Sequence, residues 1–184
     1  MEVIAMGIQG VFLNKTDIHK DIRGSFYESF NQKEWEAATG LKTTFVQDNF
    51  SNSKRGVLRG LHYQIEHPQG KLVRVLCGII FDVVVDLRKE SETFGHWIGM
   101  HISSHDHGQL WIPEGCAHGF YVVSEYANVM YKTTDYRYPE HERTIMWNDH
   151  DIDIRWPFWP SRRKEPILSE KDSGGMSFKQ ACME

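Results

Sequence analysis

The sequence has few cysteines, no long apolar run and no excess of positive charge. Its three cysteines are an odd number without the spacing of a metal motif, so neither a disulfide framework nor a zinc site is expected. No stretch approaches the roughly 20 apolar residues of a membrane helix. The start, MEVIAMGIQG, lacks the features of a signal peptide. The unpaired cysteines and the missing signal peptide and membrane span together predict a soluble protein of the reducing cytoplasm. The net charge of −4 gives no reason to expect nucleic acid or an anionic membrane as a partner.

Aromatic residues are abundant instead, and apolar and polar residues alternate at period two through most of the chain. In the segment 79–88, Phe81 and Val83 share one face and Asp82 lies on the other. The alternating segments are short and are separated by turn residues such as SNSKRG and PEG. This pattern predicts one all-β domain over residues 1–184, a cupin-type jelly-roll barrel with a few short helices, rather than a parallel α/β sheet.

The alternation predicts strands at 10–13, 25–30, 43–52, 57–64, 71–76, 79–88, 97–102, 109–112, 119–123 and 127–134. One helix is predicted after Asn31, which can cap it, with Glu34 placed three residues on for a capping box. Gly40 can end this helix in a left-handed conformation. Residues 157–184 are expected to form a wrapping C-terminal tail with one short helix near SEKD.

The segment RGVLRGLHYQ leads through a proline-containing turn into QGKLVRV. Two antiparallel strands joined by that turn would place His62 beside Lys71, as a base with an electrophilic partner. A histidine bonded to a backbone carbonyl and a lysine at a strand edge are the alternative, which the pattern alone favours. Strict alternation also puts Arg59 and His62 on opposite faces, unless Gly60 forms a bulge or Arg59 reaches a neighbouring subunit's site.

The segment WIPEGCAHGF contains Pro-x-Gly-x-x-His, which resembles the second motif of cupin barrels and ends at His118. Metal-binding cupins also carry His-x-His and an acid, whereas the matching stretch here reads His62-Tyr63-Gln64, with Lys71 as the next charged candidate. A protonated lysine cannot ligate a metal, so we expect no metal ion. A turn histidine with a structural role is the alternative for His118.

Two carboxylates could orient an imidazole: Asp82, on the less apolar face of its strand, and Asp172, in LSEKD. Spacing alone favours a solvated acid for Asp172 and a buried structural tyrosine for Tyr131. Simple surface charge is the plainest interpretation of the scattered basic residues Arg23, Arg59 and Lys171.

From about residue 10 to residue 172, ordered blocks of the sequence resemble the dTDP-4-dehydrorhamnose 3,5-epimerase family. They are DIRGSFYESFN, FVQDN, VLRGLHYQ, QGKLVRV, FDVVVDLRKESETFG, LWIPEGCAHGF, SEYA, YKTTDYRYPEHE, WND and LSEKD. So many blocks in order are more specific than any single motif. The resemblance implies a cupin-type jelly roll, usually a homodimer, without metal or organic cofactor. Its substrate would be a nucleotide-linked 4-keto-6-deoxyhexose, epimerised at C3 and C5 on the way to dTDP-L-rhamnose.

By position in these blocks, the resemblance implies that His62 is the base, paired with Asp172, and that Tyr131 is the acid on the opposite face of the sugar. It places Lys71 and Asp82 close to the sugar, where the lysine charge can stabilise an enolate oxygen. The substrate contacts that it implies fall on Arg23, Glu28, Gln47, Asp48, Asn49, Arg59, Lys71, His118, Glu142 and Lys171.

Three alternatives remain open from the sequence. A relative could invert only C3, or could act on another nucleotide sugar, because such enzymes share the motif residues. A non-catalytic cupin could bind a sugar nucleotide, although a binder has no need of an opposed acid and base. A metal-dependent cupin oxygenase is a poor third option, since His-x-His is missing.

Overall fold

The computed structural model describes residues 1–158 and 165–183, and these residues form thirteen strands and three short helices. In chain order the elements are β1 (Glu2–Ala5), β2 (Phe12–Lys15), β3 (His19–Asp21), β4 (Gly24–Phe26), α1 (Gln32–Thr39), β5 (Gln47–Lys54), β6 (Leu58–Gln64), β7 (Lys71–Cys77), β8 (Ile79–Asp86), β9 (Trp97–Ser103), β10 (Gln109–Ile112), β11 (Cys116–Val122), β12 (Tyr126–Thr133), β13 (Glu142–Thr144), α2 (Glu170–Ser173) and α3 (Phe178–Ala181).

The strands form two large antiparallel sheets and one hairpin. The first sheet has six strands in the order β1-β2-β10-β7-β12-β5, and the second has five in the order β13-β6-β11-β8-β9. Strands β3 and β4 pair only with each other in the described residues. The chain repeatedly crosses from one sheet to the other between consecutive strands, as it does between β6 and β7. This crossing is the jelly-roll arrangement that the short, regularly spaced strands predict.

Apolar side chains are buried in three layers. Between the sheets lies a core that includes Val73, Val84 and Val129. Helix α1 covers the outer face of the six-stranded sheet, where the fully buried Trp35 packs with other aromatic rings. The C-terminal residues cover the outer face of the five-stranded sheet, and Trp156 packs there against strands β6, β8 and β11. Strand β8 is therefore buried on both faces, which explains its long apolar run.

Helix α1 begins and ends where its local signals predict. The Asn31 side chain accepts hydrogen bonds from the backbone N–H groups of Lys33 and Glu34, and Gly40 ends the helix with a φ of 72°. The short helix predicted near SEKD is α2. Among the described residues, no helix is long and apolar enough to cross a membrane.

Several predicted boundaries are wrong. Strands β1, β3 and β13 were not predicted, and the strand predicted over 25–30 is only the short hairpin strand β4. The strand predicted from residue 43 begins at Gln47, since the preceding segment carries no regular structure. Of the predicted tail, residues 159–164 and 184 lie outside the described residues.

Candidate active site

Strand β6 brings Arg59 and His62 to one cavity because it contains a bulge at Gly60. His62 pairs with His118 of β11, and Arg59 pairs with Phe120, so three steps along β6 match two along β11. Gly60 has a φ of 113°, and a Cβ at this position would lie 2.6 Å from backbone atoms of β11. Only glycine fits such a close approach with that backbone conformation. Of the two explanations that alternation left open, the bulge at Gly60 is the one that the strand register shows.

A cavity of about 230 Å³ is lined by side chains from both sheets. The five-stranded sheet contributes residues of β6, β11 and β13, and the six-stranded sheet contributes residues of β5, β7 and β12. The candidate residues from the sequence that line it are Asn49, Arg59, His62, Lys71, His118, Tyr131 and Glu142.

His62 forms a pair with Asp172, whose Oδ1 lies 2.5 Å from His62 Nε2. Asp172 is only 4% exposed, so it is not the solvated acid that spacing alone favours. Its Oδ2 accepts a hydrogen bond of 2.8 Å from the Ser169 hydroxyl, and the Gly60 N–H donates to Oδ1 at 3.4 Å. These contacts hold the carboxylate at a fixed angle to the imidazole.

The charges of this pair suit a neutral base beside an anion. Burial lowers the pKa of His62 below its ordinary value, although the Asp172 carboxylate opposes this shift. Burial alone would raise the pKa of Asp172, but the hydrogen bonds from His62, Ser169 and Gly60 outweigh it and lower that pKa. With Nε2 directed at Asp172, Nδ1 is the ring nitrogen available to receive a proton.

Lys71 approaches His62 from the opposite sheet. The prediction that β6 and β7 pair directly is wrong, because these strands belong to different sheets. The Lys71 ammonium instead spans the interior and donates a 3.2 Å hydrogen bond to the His62 carbonyl oxygen. Burial lowers the pKa of Lys71 to about 8, against the opposing charges of Asp82 and Glu142. The group remains largely protonated near neutral pH.

A second imidazole–carboxylate pair lies beside the first. His118 Nε2 is 3.0 Å from both carboxylate oxygens of Asp82, and both side chains are buried. Asp82 faces the interior from β8, on the same face as the core residue Val84. The Asp82 carboxylate is one of the negative charges that oppose the lowering of the Lys71 pKa. It also fixes the orientation of the His118 ring.

Tyr131, on β12, lines the cavity from the sheet opposite to that of His62. Burial raises the pKa of its phenol, and the negative charge of Glu142 adds to that shift. The phenol therefore keeps its proton at neutral pH. A protonated phenol and a neutral imidazole thus face one cavity from opposite walls.

Glu142 links two basic residues at the edge of the cavity. Arg137 donates to it through Nε at 3.0 Å and Nη2 at 2.8 Å, and Lys171 Nζ lies 3.0 Å away. Burial alone would raise the pKa of Glu142, but these cations hold it at about 2. Sequence reasoning missed Arg137, although it lies in the YKTTDYRYPEHE block five residues before Glu142.

Seven candidate residues do not line this cavity. Gln47 is adjacent to the cavity, where its amide donates to Asn49 at 2.9 Å. Asp48 lies on the other face of β5 and forms an ion pair with Lys132. Arg23, in the turn between β3 and β4, is bound to Asp21 with its side chain 85% exposed. Glu28 lines a separate cavity of about 450 Å³. Asp82 and Asp172 lie behind the two histidines, and Lys171 lies at the edge of the cavity, bound to Glu142.

Serine residues are what sequence reasoning missed most clearly. Ser169 supports Asp172, Ser53 accepts a 3.0 Å hydrogen bond from Arg59 Nε, and Ser51 lines the cavity. The alternation in FVQDNFSNSK could have placed Ser51 and Ser53 on the face of Asn49. In the parts of the chain that the structure describes, no three His, Cys, Asp or Glu side chains are grouped to hold a metal ion.

The fold and the site together define a class of protein. A jelly roll in which a neutral imidazole and a protonated phenol line one cavity from opposite sheets, with a buried ammonium beside the imidazole strand, has the groups with which acid–base enzymes move protons.

Comparison with known proteins identifies the family. The sequence profile of the dTDP-4-dehydrorhamnose 3,5-epimerase family matches residues 5–180. The dTDP-4-dehydrorhamnose 3,5-epimerase of Pseudomonas aeruginosa is 52% identical over 181 residues, 98% of each chain. The chain belongs to the dTDP-4-dehydrorhamnose 3,5-epimerase family and is an isomerase.

Solved structures agree with this assignment. The dTDP-6-deoxy-D-glucose-3,5-epimerase of Legionella pneumophila, in complex with dTDP-4-keto-L-rhamnose, superposes with a TM-score of 0.90 at 46% identity and covers 96% of this chain and 92% of its own. ChmJ of Streptomyces bikiniensis, a 3'-monoepimerase in complex with dTDP-quinovose, gives 0.88 at 30% identity over 97% and 88%. The predicted cupin-type jelly roll is confirmed.

Proposed function

We propose that this protein epimerises a dTDP-4-keto-6-deoxyhexose at C3 and C5, and so converts dTDP-4-dehydro-6-deoxy-D-glucose to dTDP-4-dehydro-L-rhamnose. The observation that carries the proposal is the placement of His62 and Tyr131 on opposite walls of one cavity. Inversion of a carbon needs a proton removed from one face and another delivered to the opposite face. Two groups on the same wall could only exchange the proton and return the original configuration.

The proposed base and electrophile are His62 and Lys71. A proton beside the C4 ketone is removed by His62, while Asp172 stabilises the imidazolium that forms. The negative charge that develops on the ketone oxygen is stabilised by the Lys71 ammonium, which the protein holds in place before the reaction begins. Tyr131 then protonates the enolate from the other face. No hydride transfer is required.

The test of the proposed function is incubation with dTDP-4-keto-6-deoxyglucose in deuterated water, followed by NMR. Deuterium at both C3 and C5, with the L-rhamno product, is the expected result. Deuterium and inversion at C3 alone would favour the second candidate, a C3-only epimerase. The structural similarity to the monoepimerase ChmJ is the observation that favours this alternative. Binding of the nucleotide sugar without exchange at either carbon would favour a non-catalytic binding protein.

The proposed roles of His62 and Lys71 predict a bell-shaped dependence of kcat on pH. Because burial lowers the pKa of His62, its imidazole stays neutral, and so able to accept a proton, at pH values below the usual pKa of histidine. Because burial lowers the pKa of Lys71 to about 8, its ammonium is lost and the rate falls as the pH rises through that value. Lys71→Arg is expected to retain reduced activity and to move the alkaline limb upward, since a guanidinium keeps its proton. An alkaline limb identical in the two proteins would contradict this role.

The hairpin formed by β3 and β4 supports the proposal that the protein is a homodimer. Ile22 is fully exposed at its tip and Phe26 is 72% exposed, so the hairpin buries little against its own subunit. We propose that it packs on a second copy, where Arg23 and Glu28 complete the partner subunit's cavity. Both residues lie outside the cavity of their own chain.

Light scattering at micromolar concentration is expected to give twice the 21.5 kDa mass of one chain. Complementation tests the contribution of the hairpin. Arg23→Ala and His62→Ala homodimers should each be impaired, whereas a mixed dimer should regain activity, because one of its cavities combines an intact His62 with the partner's intact Arg23. A 21.5 kDa species would contradict the homodimer, and a mixed dimer without activity would contradict the exchange of Arg23.

The cytoplasm is the compartment that we propose for this activity. The three cysteines Cys77, Cys116 and Cys182 are free thiols. Unpaired thiols suit a reducing compartment.

A further inference from the structure

One wall of the active-site cavity is formed by a row of polar side chains on β5. Gln47, Asn49, Ser51 and Ser53 are each less exposed than the residues between them, as expected when alternate side chains of a strand face inward. Three members of this row have hydrogen-bond partners in the protein itself. Gln47 donates to Asn49 at 2.9 Å, and Ser53 accepts from Arg59 at 3.0 Å.

Ser51, in the middle of this row, is different. Its hydroxyl is buried and lacks a hydrogen-bond partner among the described residues, although the residue lines the cavity. A buried hydroxyl without a protein partner destabilises the fold, because it has given up water without a replacement. Native proteins retain such groups mainly at functional sites, where a ligand supplies the partner.

The register of the sheet places Ser51 beside the proposed acid. Asn49 pairs with Tyr131 of β12, and Ser51 pairs with Val129, two residues along the same strand. Diagonal neighbours on adjacent strands lie about 7–8 Å apart, so side chains at Ser51 and Tyr131 can contact the same sugar from one wall. Because Tyr131 has to reach the reacting carbons, Ser51 faces the sugar rather than the base of the nucleotide.

We propose that Ser51 binds the hydroxyl at C2 of the hexose and makes the enzyme specific for sugars that carry it. This inference rests on the proposed function. Apart from the anomeric oxygen, a 4-keto-6-deoxyhexose has hydroxyls only at C2 and C3. The C3 hydroxyl changes direction when C3 inverts, whereas C2 keeps its configuration. A serine fixed on a rigid strand can therefore hold the C2 hydroxyl in substrate and product alike.

The test is a cycle of two changes, one in the enzyme and one in the substrate. The ratio kcat/KM is measured for wild type and Ser51→Ala with dTDP-4-keto-6-deoxyglucose and with its 2-deoxy analogue. Each single change should lower kcat/KM roughly ten-fold, the effect of one neutral hydrogen bond. The two changes together should cost no more than either alone, because both remove the same bond. Inhibition by dTDP, which has no hexose, should be unchanged in Ser51→Ala.

Thermal unfolding of the free enzyme provides a second readout. Ser51→Ala should melt at or above the temperature of wild type, because the variant no longer buries an unpartnered hydroxyl. Ser103→Ala is the matched control, since Ser103 lies on β9 outside this cavity and its hydroxyl accepts a hydrogen bond from the His105 N–H. This control should not gain stability and should keep its kcat/KM with both sugars.

The role of Ser51 would be overturned if the two losses in kcat/KM multiplied when both changes were combined, or if Ser51→Ala melted several degrees below wild type. Either result would leave the proposed function intact. A wild-type protein that epimerises neither sugar would contradict both the proposed function and the inference built on it.

Discussion

Replacing His62 with alanine is expected to abolish both epimerisation and the exchange of substrate protons with solvent. No other group takes a proton from that face in the proposed mechanism, so the enolate does not form. General bases contribute roughly 10²–10⁴-fold to enzymatic rates, and the loss in kcat should lie at the upper end of that range. Deuterium incorporation at C3 and C5, followed by NMR, measures exchange and inversion in one experiment.

The control for His62→Ala is another histidine. His105 lies in an exposed turn after β9 and does not line the cavity, so His105→Ala should exchange and epimerise at the wild-type rate. Removal of His62 also leaves the buried Asp172 carboxylate without its imidazole partner. Circular dichroism and dTDP binding must therefore establish that the His62→Ala protein is folded. Wild-type epimerisation by a folded His62→Ala protein would remove His62 from the mechanism.

Tyr131→Phe is expected to separate exchange from inversion. The variant keeps His62 to remove a proton and Lys71 to stabilise the enolate, so deuterium should still enter the substrate with its configuration retained. Inversion should fall much further, roughly 10²-fold or more, because only delivery from the opposite face is lost. The ratio of labelled starting sugar to labelled product, measured early in the reaction, should therefore rise.

Parallel losses of exchange and inversion in Tyr131→Phe would contradict the role of Tyr131 as the opposite-face acid. They would point instead to a tyrosine that only positions the substrate. Because phenylalanine preserves the ring and removes only the hydroxyl, the packing of β12 against β5 and β7 should be unaffected, and the melting temperature provides the check.

Features governed by neighbouring residues were predictable from the sequence. Helix α1 follows from Asn31 and Gly40, which satisfy the backbone groups at its two ends. The bulge at Gly60 was also accessible, because alternation placed Arg59 and His62 on opposite faces and glycine was the residue able to resolve the conflict. Strand boundaries were less accurate where a strand is short, as in β1 and β13, since three or four residues carry little periodicity.

Features that depend on distant contacts were not predictable from pattern alone. The proximity of Lys71 to His62 was expected from a hairpin, yet it arises across the interior between two sheets. Spacing favoured a solvated Asp172, because nothing in LSEKD indicates that the segment docks against β6. Only the family resemblance paired this carboxylate with His62. The roles proposed for Arg23 and Glu28 require a second copy of the chain, which periodicity within one chain does not report.

A newly synthesised chain acquires the proposed base, His62, well before it acquires Asp172, the partner of that base. His62 and Asp172 are 110 residues apart. At ribosomal speeds of roughly 5–20 residues per second, the strand that carries His62 waits on the order of ten seconds for the aspartate to emerge. During that time the imidazole lacks the anion that would stabilise its protonated form. In the proposed mechanism, catalytic competence therefore comes at a late stage of synthesis, and incomplete chains on the ribosome are expected to be inactive.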